Sequence, residues 1–403
     1  MDLKKLLDKY HLNPQKEDAF FEEPVQGREI NVLVPGTEVS NEYGSFYMVE
    51  NKYPLTYLYG GVRLGDLFDI DEASFDCLCG NMGLDVQKMI FLDTETTGLS
   101  SGTGTVAFLT GIGFIKDECF ILRQYFMRDY HEEAPLLDAL RPVLENAQSV
   151  VTYNGKSFDI PLLSTRFTAN RFRPKMSLEH LDLLHISRLF WKGTYENCRL
   201  GTIEKEVLGE IRTDDIPGEQ IPLEYFRYLD TRDASVMKKV LEHNLRDILT
   251  LSALLVHFSK MVQNRSDTEK TNELHGLSKL YEKREDYRNV LECLERRIRL
   301  NPDDCDIDVL RRISVIYKRS GSYDKAVPLW RYYSDIEGGA TMGVKVYATV
   351  ELAKYLEHKK RDYQSALAIV NQLNGYAASN RFFGRTYLPE LEKRKSRLQR
   401  LVK

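Results

Sequence analysis

One run, Met89-Ile90-Phe91-Leu92-Asp93-Thr94-Glu95-Thr96-Thr97-Gly98-Leu99, constrains this chain more than any other. Residues 89–92 read as a buried strand. Asp93 and Glu95 follow at its end, and side chains two apart in an extended chain point to one face. Two carboxylates therefore project side by side where the strand meets a Thr/Gly-rich turn. Adjacent anions repel each other. They are either solvated loop residues or ligands of a hard divalent cation, Mg²⁺ or Mn²⁺. The choice depends on whether the rest of the chain supplies further ligands.

At 403 residues the chain exceeds what one core usually supports, so several domains are expected. Residues 1–28 form a polar N-terminal segment with little periodicity beyond a short helix at Leu3, Leu6 and Leu7. Residues 29–88 are a β-rich lead-in. Strands are expected at 30–34 and 45–49, with turns at Pro35-Gly36 and at 41–44. Residues 89–258 alternate strand and helix. A hairpin spans 106–115 and 119–126, turning at Lys116-Asp117-Glu118. Helix 132–145 carries Leu136, Leu137, Leu140 and Leu144 at 3–4 spacing. A strand at 149–154 precedes a helix from Ile160, with Pro161 in its first turn. Helices at 178–191, 200–208 and 231–257 complete a mixed α/β sheet with flanking helices.

Residues 270–403 read as all-helical and repetitive. Tyr287, Tyr323 and Tyr363 occupy equivalent places in three copies, 36 and 40 residues apart, and Asn301-Pro302 closes the first unit. These helix–turn–helix copies resemble tetratricopeptide repeats. Stacked repeats bury a shared core and leave a concave face. The unit is either a stabilising helical cap or a docking surface for a protein partner.

Three further residues extend the opening pair. Asp159 ends Tyr153-Asn154-Gly155-Lys156-Ser157-Phe158-Asp159 at a strand-to-helix junction, as a helix cap or a metal ligand. His243 and Asp247 lie four apart on the last helix of this region and share a face. Other titratable groups read as structural: Asp182, His180 and His185 on an amphipathic helix, Asp214 and Asp215 in a turn, Asp230 and Asp233 at a helix start.

The order D-x-E, then N-G-x-x-F-D, then H-x-x-x-D resembles the DEDD exonucleases of the ribonuclease H-like superfamily. More narrowly, it resembles the YprB-type ribonuclease H-like proteins. The segments Leu181-Asp182-Leu183-Leu184 and 200–209, followed by Asp214-Asp215-Ile216-Pro217-Gly218, add to the likeness, which covers roughly residues 40–260. The resemblance implies an α/β ribonuclease H-like fold followed by the all-α helical repeats. It implies two divalent ions, on the order of 4 Å apart, held by Asp93, Glu95, Asp159 and Asp247. It also implies 3′→5′ cleavage of a single-stranded DNA or RNA end, with His243 as the base that orients or deprotonates water. That branch usually places its histidine five before the aspartate, whereas here the spacing is four. His243 is therefore either a base or a residue that only positions the water. Thr94, Thr96, Asn154, Lys156, Ser157 and Phe158 are the expected substrate contacts, Lys156 toward a phosphate and Phe158 toward a base.

The net charge of −4 gives no global attraction to nucleic acid, so such a ligand needs a local basic surface or bound cations. No apolar run approaches the ~18 residues of a membrane span, and the start lacks a signal-peptide core. The expectation is a cytoplasmic protein with six reduced cysteines. The rival readings are a non-catalytic adaptor for nucleic acid or protein, and a structure-selective endonuclease on the same fold.

Overall fold

The computed structural model describes residues 27–80, 82–98, 104–175, 178–265, 268–302, 305–335, 342–379 and 381–402. The expected helix at Leu3, Leu6 and Leu7 and residues 99–103 of the Thr/Gly loop lie outside the described residues. The chain divides into two compact units, Met1–Asn264 and Arg265–Lys403. Among the described residues, no helix is long and apolar enough to cross a membrane.

The first unit is organised by a seven-stranded mixed sheet. Its chain order begins with β1 (Thr37–Asn41) and β2 (Gly44–Pro54). A separate two-stranded hairpin, β3 (Leu58–Tyr59) and β4 (Val62–Arg63), precedes helix α1 (Glu72–Cys79). Then come β5 (Met89–Thr96), β6 (Ala107–Lys116), β7 (Cys119–Phe126), α2 (Glu133–Asn146), β8 (Ser149–Thr152), α3 (Asp159–Ala169), β9 (Glu179–Asp182) and α4 (Leu183–Trp191). A helical segment, Leu200–Ile203, runs into one wide turn, Glu204–Leu208; α5 (Ile221–Thr231) and α6 (Ser235–Gln263) follow. The sheet order is β1-β2-β7-β6-β5-β8-β9. It is antiparallel from β1 to β5 and parallel from β5 through β8 to β9. The β1–β2 hairpin of the lead-in thus belongs to the same sheet as β5.

Local chemistry accounts for much of this. The β6–β7 hairpin turns on Asp117 and Glu118, both with positive φ (50° and 57°). That is the conformation a two-residue turn needs to match strand twist. Asp71 caps α1 by accepting from the Ser74 N–H at 2.6 Å. The 3–4 spacing in α2 is the face that Leu136, Leu137, Leu140 and Leu144 bury.

Three expectations are corrected. Residues 30–34 are not a strand: Ile30–Leu33 form one helical turn and the edge strand is β1. The β-branched run has no strand to pair with, and Val34 instead accepts a 2.7 Å hydrogen bond from the Tyr47 hydroxyl. Residues 178–191 are not one helix. Residues 179–182 pair in parallel with β8, and α4 starts only at Leu183. The apolar spacing there matches a helix, but the open edge of β8 takes the first four residues. The last helix starts at Ser235 rather than 231, because Arg232 is left-handed (φ 59°) and closes α5.

Helix α6 lies against β5 and β6, and two glycines of β6 allow it. A Cβ on Gly113 would sit 2.6 Å from Ile248 Cγ2 and 2.5 Å from Phe120 Cζ. One on Gly111 would sit 2.2 Å from Asn244 Oδ1.

The second unit is all-helical. Among the described residues it holds α7 (Thr271–Lys283), α8 (Tyr287–Leu300), α9 (Ile307–Ser320), α10 (Tyr323–Asp335), α11 (Met342–Tyr355), α12 (Tyr363–Ser379) and α13 (Arg381–Val402). The tyrosines that mark the sequence copies are the first residues of α8, α10 and α12. Each is preceded by a left-handed residue two positions earlier: Glu285 (φ 57°), Gly321 (φ 72°) and Arg361 (φ 56°). The three copies therefore repeat a turn geometry as well as a sequence pattern, and this fits a repeat domain.

The glycine argument is directly testable. Asn244 is fully buried and hydrogen-bonded, so it cannot swing aside for a methyl group. Gly111→Ala is expected to destabilise by about 1–3 kcal/mol, lowering the melting temperature by roughly 3–10 °C. Gly201→Ala, where a Cβ meets nothing within 4 Å, is expected to leave it unchanged or raise it. Thermal unfolding followed by circular dichroism checks both.

Candidate active site

Three elements deliver the acidic residues to one place. Strand β5 carries Asp93 and Glu95 at its carboxyl end, where its pairing with β6 shifts register between Glu95 and Thr96. Such an irregularity re-aims the side chains beside it. The turn after β8 leads to Asp159, the first residue of α3. Helix α6 brings His243, Asn244 and Asp247.

The carboxylates act on one another. Burial, then the charges of Asp247 and Asp159, push the Asp93 carboxyl well above its usual range. Burial, then Asp93, Asp247 and Asp159, do the same to Glu95. Burial lifts Asp159 to about 6, although the Thr94 hydroxyl donates to its Oδ1. Glu95, His243 and Asp247 each offer one ligand atom within 4.8 Å of the other two. Imidazole nitrogen and carboxylate oxygen suit a divalent transition ion or, through the oxygens, Mg²⁺. The donor set fits a cation, because only positive charge relieves this crowding.

The protein supplies part of that charge itself. Asn244 Nδ2 donates to Asp93 Oδ2 at 2.9 Å. Its Oδ1 accepts from Gln124 Nε2 at 3.0 Å, and Gln124 Nε2 also donates to the Leu241 carbonyl at 2.7 Å. A backbone carbonyl only accepts, so it fixes the Gln124 amide, which in turn fixes the Asn244 amide with its N–H₂ toward Asp93. On the other side, Arg212 Nη2 donates to Asp247 Oδ1 at 2.5 Å while its Nε donates to Glu204 Oε2 at 2.5 Å. Glu204 is fully buried; it also accepts from the Tyr59 hydroxyl and, at 2.6 Å, from Thr250 Oγ1.

His243 is held from behind. Its Nδ1 is 2.9 Å from Asp215 Oδ1. Its Nε2 lies 3.4 Å from Asp247 Oδ2 and 3.9 Å from Glu95 Oε1. With Nδ1–H donating to Asp215, Nε2 presents its lone pair to the carboxylates. Burial pushes the Asp215 carboxyl up, but the His243 bond and the charges of His243 and Arg212 outweigh it and hold it below the usual range. Asp215 is thus not an ordinary turn residue.

The substrate-contact expectations fare unevenly. Thr94 and Thr96 turn their hydroxyls inward, to Asp159 and to the Gly98 carbonyl at 2.7 Å. Asn154, Lys156 and Ser157 are exposed and Phe158 is half-buried. The turn does not offer free backbone donors at Asn154 and Lys156. Their N–H groups donate to the Asp182 carboxylate at 2.8 and 3.2 Å. Asp182, at the end of β9 and not within a helix, also caps α4 through the Leu184 N–H at 3.0 Å. His180 Nε2 is 2.8 Å from Thr152 Oγ1. Arg212, Gln124 and Gly111 carry no motif signal. Glu204 falls in the 200–209 segment, Asp215 in the turn after it and Asn244 between His243 and Asp247, but nothing in the sequence marks these three as site residues.

Comparison with known proteins gives the family of the chain. A family model described as the RNase_H superfamily matches residues 90–259. The chain is 33% identical over 330 residues to the uncharacterized protein YprB of Bacillus subtilis (strain 168), which covers 80% of this chain and 79% of that protein. The chain belongs to the YprB family of the RNase H superfamily.

Two measurements test the electrostatics. A carboxyl whose folded pKa exceeds its unfolded value favours the folded state below the unfolded pKa. That favour is lost as pH rises through the folded value. For Asp159 the window runs from about 4 to about 6. A divalent cation that binds the ionised cluster should therefore raise the melting temperature of wild type at pH 7.5. At about 100-fold excess over Kd the gain is about 2.7 kcal/mol, roughly 5–10 °C. The gain should vanish near pH 5 and be absent at pH 7.5 in Asp93→Asn. Second, Arg212→Met leaves Glu204 buried without its cation and is expected to destabilise by about 3–5 kcal/mol. Adding Glu204→Gln should restore part of that in a urea titration.

Proposed function

We propose that this YprB-family chain is a metal-dependent nuclease that removes nucleotides from the 3′ end of single-stranded nucleic acid. The observation that carries the reading is the mutual repulsion of the partly buried Asp93 and Glu95 and the buried Asp159 and Asp247 at one end of β5. A fold has little reason to gather four carboxylates without a cation to hold.

Two divalent ions held by these four side chains would polarise the scissile phosphate and lower the pKa of a bound water. The remaining work falls to the chain itself. Asp93 would be a ligand through the oxygen that Asn244 leaves free, since Asn244 fixes the other. Asp247 is likewise held at Oδ1 by Arg212, which leaves Oδ2 facing His243 and Glu95. His243 Nε2 takes the proton of the attacking water, and Asp215 keeps the ring in the tautomer that accepts it. Asn154, Lys156 and Ser157, exposed in the turn that leads to Asp159, would contact the strand. We assign the helical repeat unit to docking a protein partner, on the strength of its repeated turns.

The test uses 5′-labelled single-stranded DNA and RNA with Mn²⁺ or Mg²⁺. Wild type should give a ladder that shortens from the 3′ end. Asp93→Asn should reduce the rate at least ~10³-fold, and His243→Gln about 10²–10⁴-fold. Asp215→Asn should fall between His243→Gln and wild type. Internal cuts at early times would favour an endonuclease. Absence of cleavage on every substrate would sink the nuclease reading.

A further inference from the structure

The parallel strands β5, β8 and β9 run the same way, so their carboxyl ends share one edge of the sheet. Asp93 and Glu95 leave β5 at this edge, the turn from Tyr153 leaves β8, and α4 leaves β9. Beside the last two lies a cleft of about 590 Å³, bordered by Tyr153 and Asn154 from the β8 turn and by α4 and the segment after it. Three exposed cations line it: Arg188, Lys192 and Arg199. Glu196 is the one acidic residue in its lining.

None of the three cations forms an ion pair among the described residues, in a chain with more acidic than basic side chains. Arg188 and Lys192 sit at the end of α4, where a cation is favoured by the helix dipole. Arg199 has no such reason. It immediately precedes the helical segment from Leu200, an N-terminal position that disfavours positive charge. All three nonetheless converge on the cleft. Its walls are firm: the Tyr153 hydroxyl donates to the Cys198 carbonyl at 2.7 Å, and Asp182 pins the Asn154 and Lys156 N–H groups. Tyr195 stands against Trp191, with ring centroids 6.2 Å apart.

We infer that this cleft holds the phosphodiester backbone of the single strand as it leads away from the cut site. The inference rests on the nuclease reading for its direction, and on charge and continuity for its ligand. Strands lie about 4.8 Å apart, which puts β9 roughly 10 Å from β5. At the ~3.4 Å per-strand rise of a duplex that is about three nucleotides, and an extended single strand covers it in fewer. The carboxylate cluster repels a polyanion, so retention of the strand requires a separate cationic surface within a few nucleotides. This cleft supplies one on the same edge.

Binding tests this without any cleavage. Fluorescence anisotropy of labelled 15-nucleotide DNA and RNA is measured in EDTA with the full chain. The proteins are wild type, Arg188→Glu/Lys192→Glu and Arg199→Glu, with Arg188→Gln/Lys192→Gln as a milder pair. Lys88→Glu/Lys116→Glu is the control. It changes net charge equally at the opposite edge of the sheet, where β5 begins and β6 ends. The cleft double reversal should weaken binding at least tenfold and reduce the salt slope by about 1.4, the value for two lost single-strand phosphate contacts. The control should stay within twofold of wild type. The DNA and RNA arms show which backbone the cleft prefers. Equal weakening by cleft and control pairs, or none by either, overturns the inference. Failure of the cleavage assay above would overturn the nuclease reading and leave this measurement to decide the cleft by itself.

Discussion

Repulsion among buried like charges is the constraint on which this molecule turns. Between the facing oxygens of Glu95 and Asp247, within 4.8 Å, Coulomb's law gives about 3–4 kcal/mol at an effective dielectric of 20. Desolvation of the other two carboxylates adds to this. The fold meets the problem with two hydrogen-bonded chains that start in the core. One runs from the Leu241 carbonyl through Gln124 and Asn244 to Asp93. The other runs from Tyr59 and Thr250 through Glu204 and Arg212 to Asp247. Each fixes one oxygen of its carboxylate. What remains unneutralised is a set of lone pairs facing one another, the arrangement a divalent cation requires.

These supports also explain unusual choices elsewhere. Gly111 and Gly113 weaken β6 as a strand, since glycine adds backbone entropy and packs nothing. They are present because α6 must approach closely enough for Asn244 to reach Asp93. Glu204 is an acidic residue with no solvent, tolerable only because Arg212, Tyr59 and Thr250 satisfy its oxygens. The wide turn at Glu204–Leu208, closed by left-handed Gly209, departs from regular helix where Glu204 meets Arg212.

Sequence and structure part company in a consistent way. Asp93 with Glu95, and His243 with Asp247, were legible as pairs because their spacing follows from strand and helix geometry; that the pairs meet each other and Asp159 was implied only by the family resemblance. The mixed sheet and the three helical copies were likewise legible from spacing. Arg212 and Glu204 were not, because they lie in an irregular stretch where no period predicts direction. Asp182 and Asp215 were misplaced or undervalued because their role depends on long-range partners. Asp182 faces a turn 26–28 residues away, and Asp215 faces His243 at the same separation of 28. Residues 30–34 and 178–182 failed for a different reason. Segments of four or five residues are too short for their apolar pattern to separate strand from helix, and only the vacancy or occupancy of a neighbouring sheet edge decides.

The position of the site follows from the sheet's topology. Strand β5 is where pairing changes from antiparallel, with β6, to parallel, with β8. From the carboxyl end of β5 the chain returns antiparallel as β6, whereas from the carboxyl end of β8 it leaves through the turn after Tyr153 into α3. The connections at the carboxyl end of β5 therefore diverge, which opens a crevice at the strand where the order changes. Helix α6 closes that crevice from the face of the sheet, bringing His243 and Asp247 from a distant part of the sequence. At β5 the two carboxylates meet a turn on one side and a helix face on the other, with the edge between them open. The carboxyl ends of β8 and β9 share the edge at which Asp93 and Glu95 leave β5.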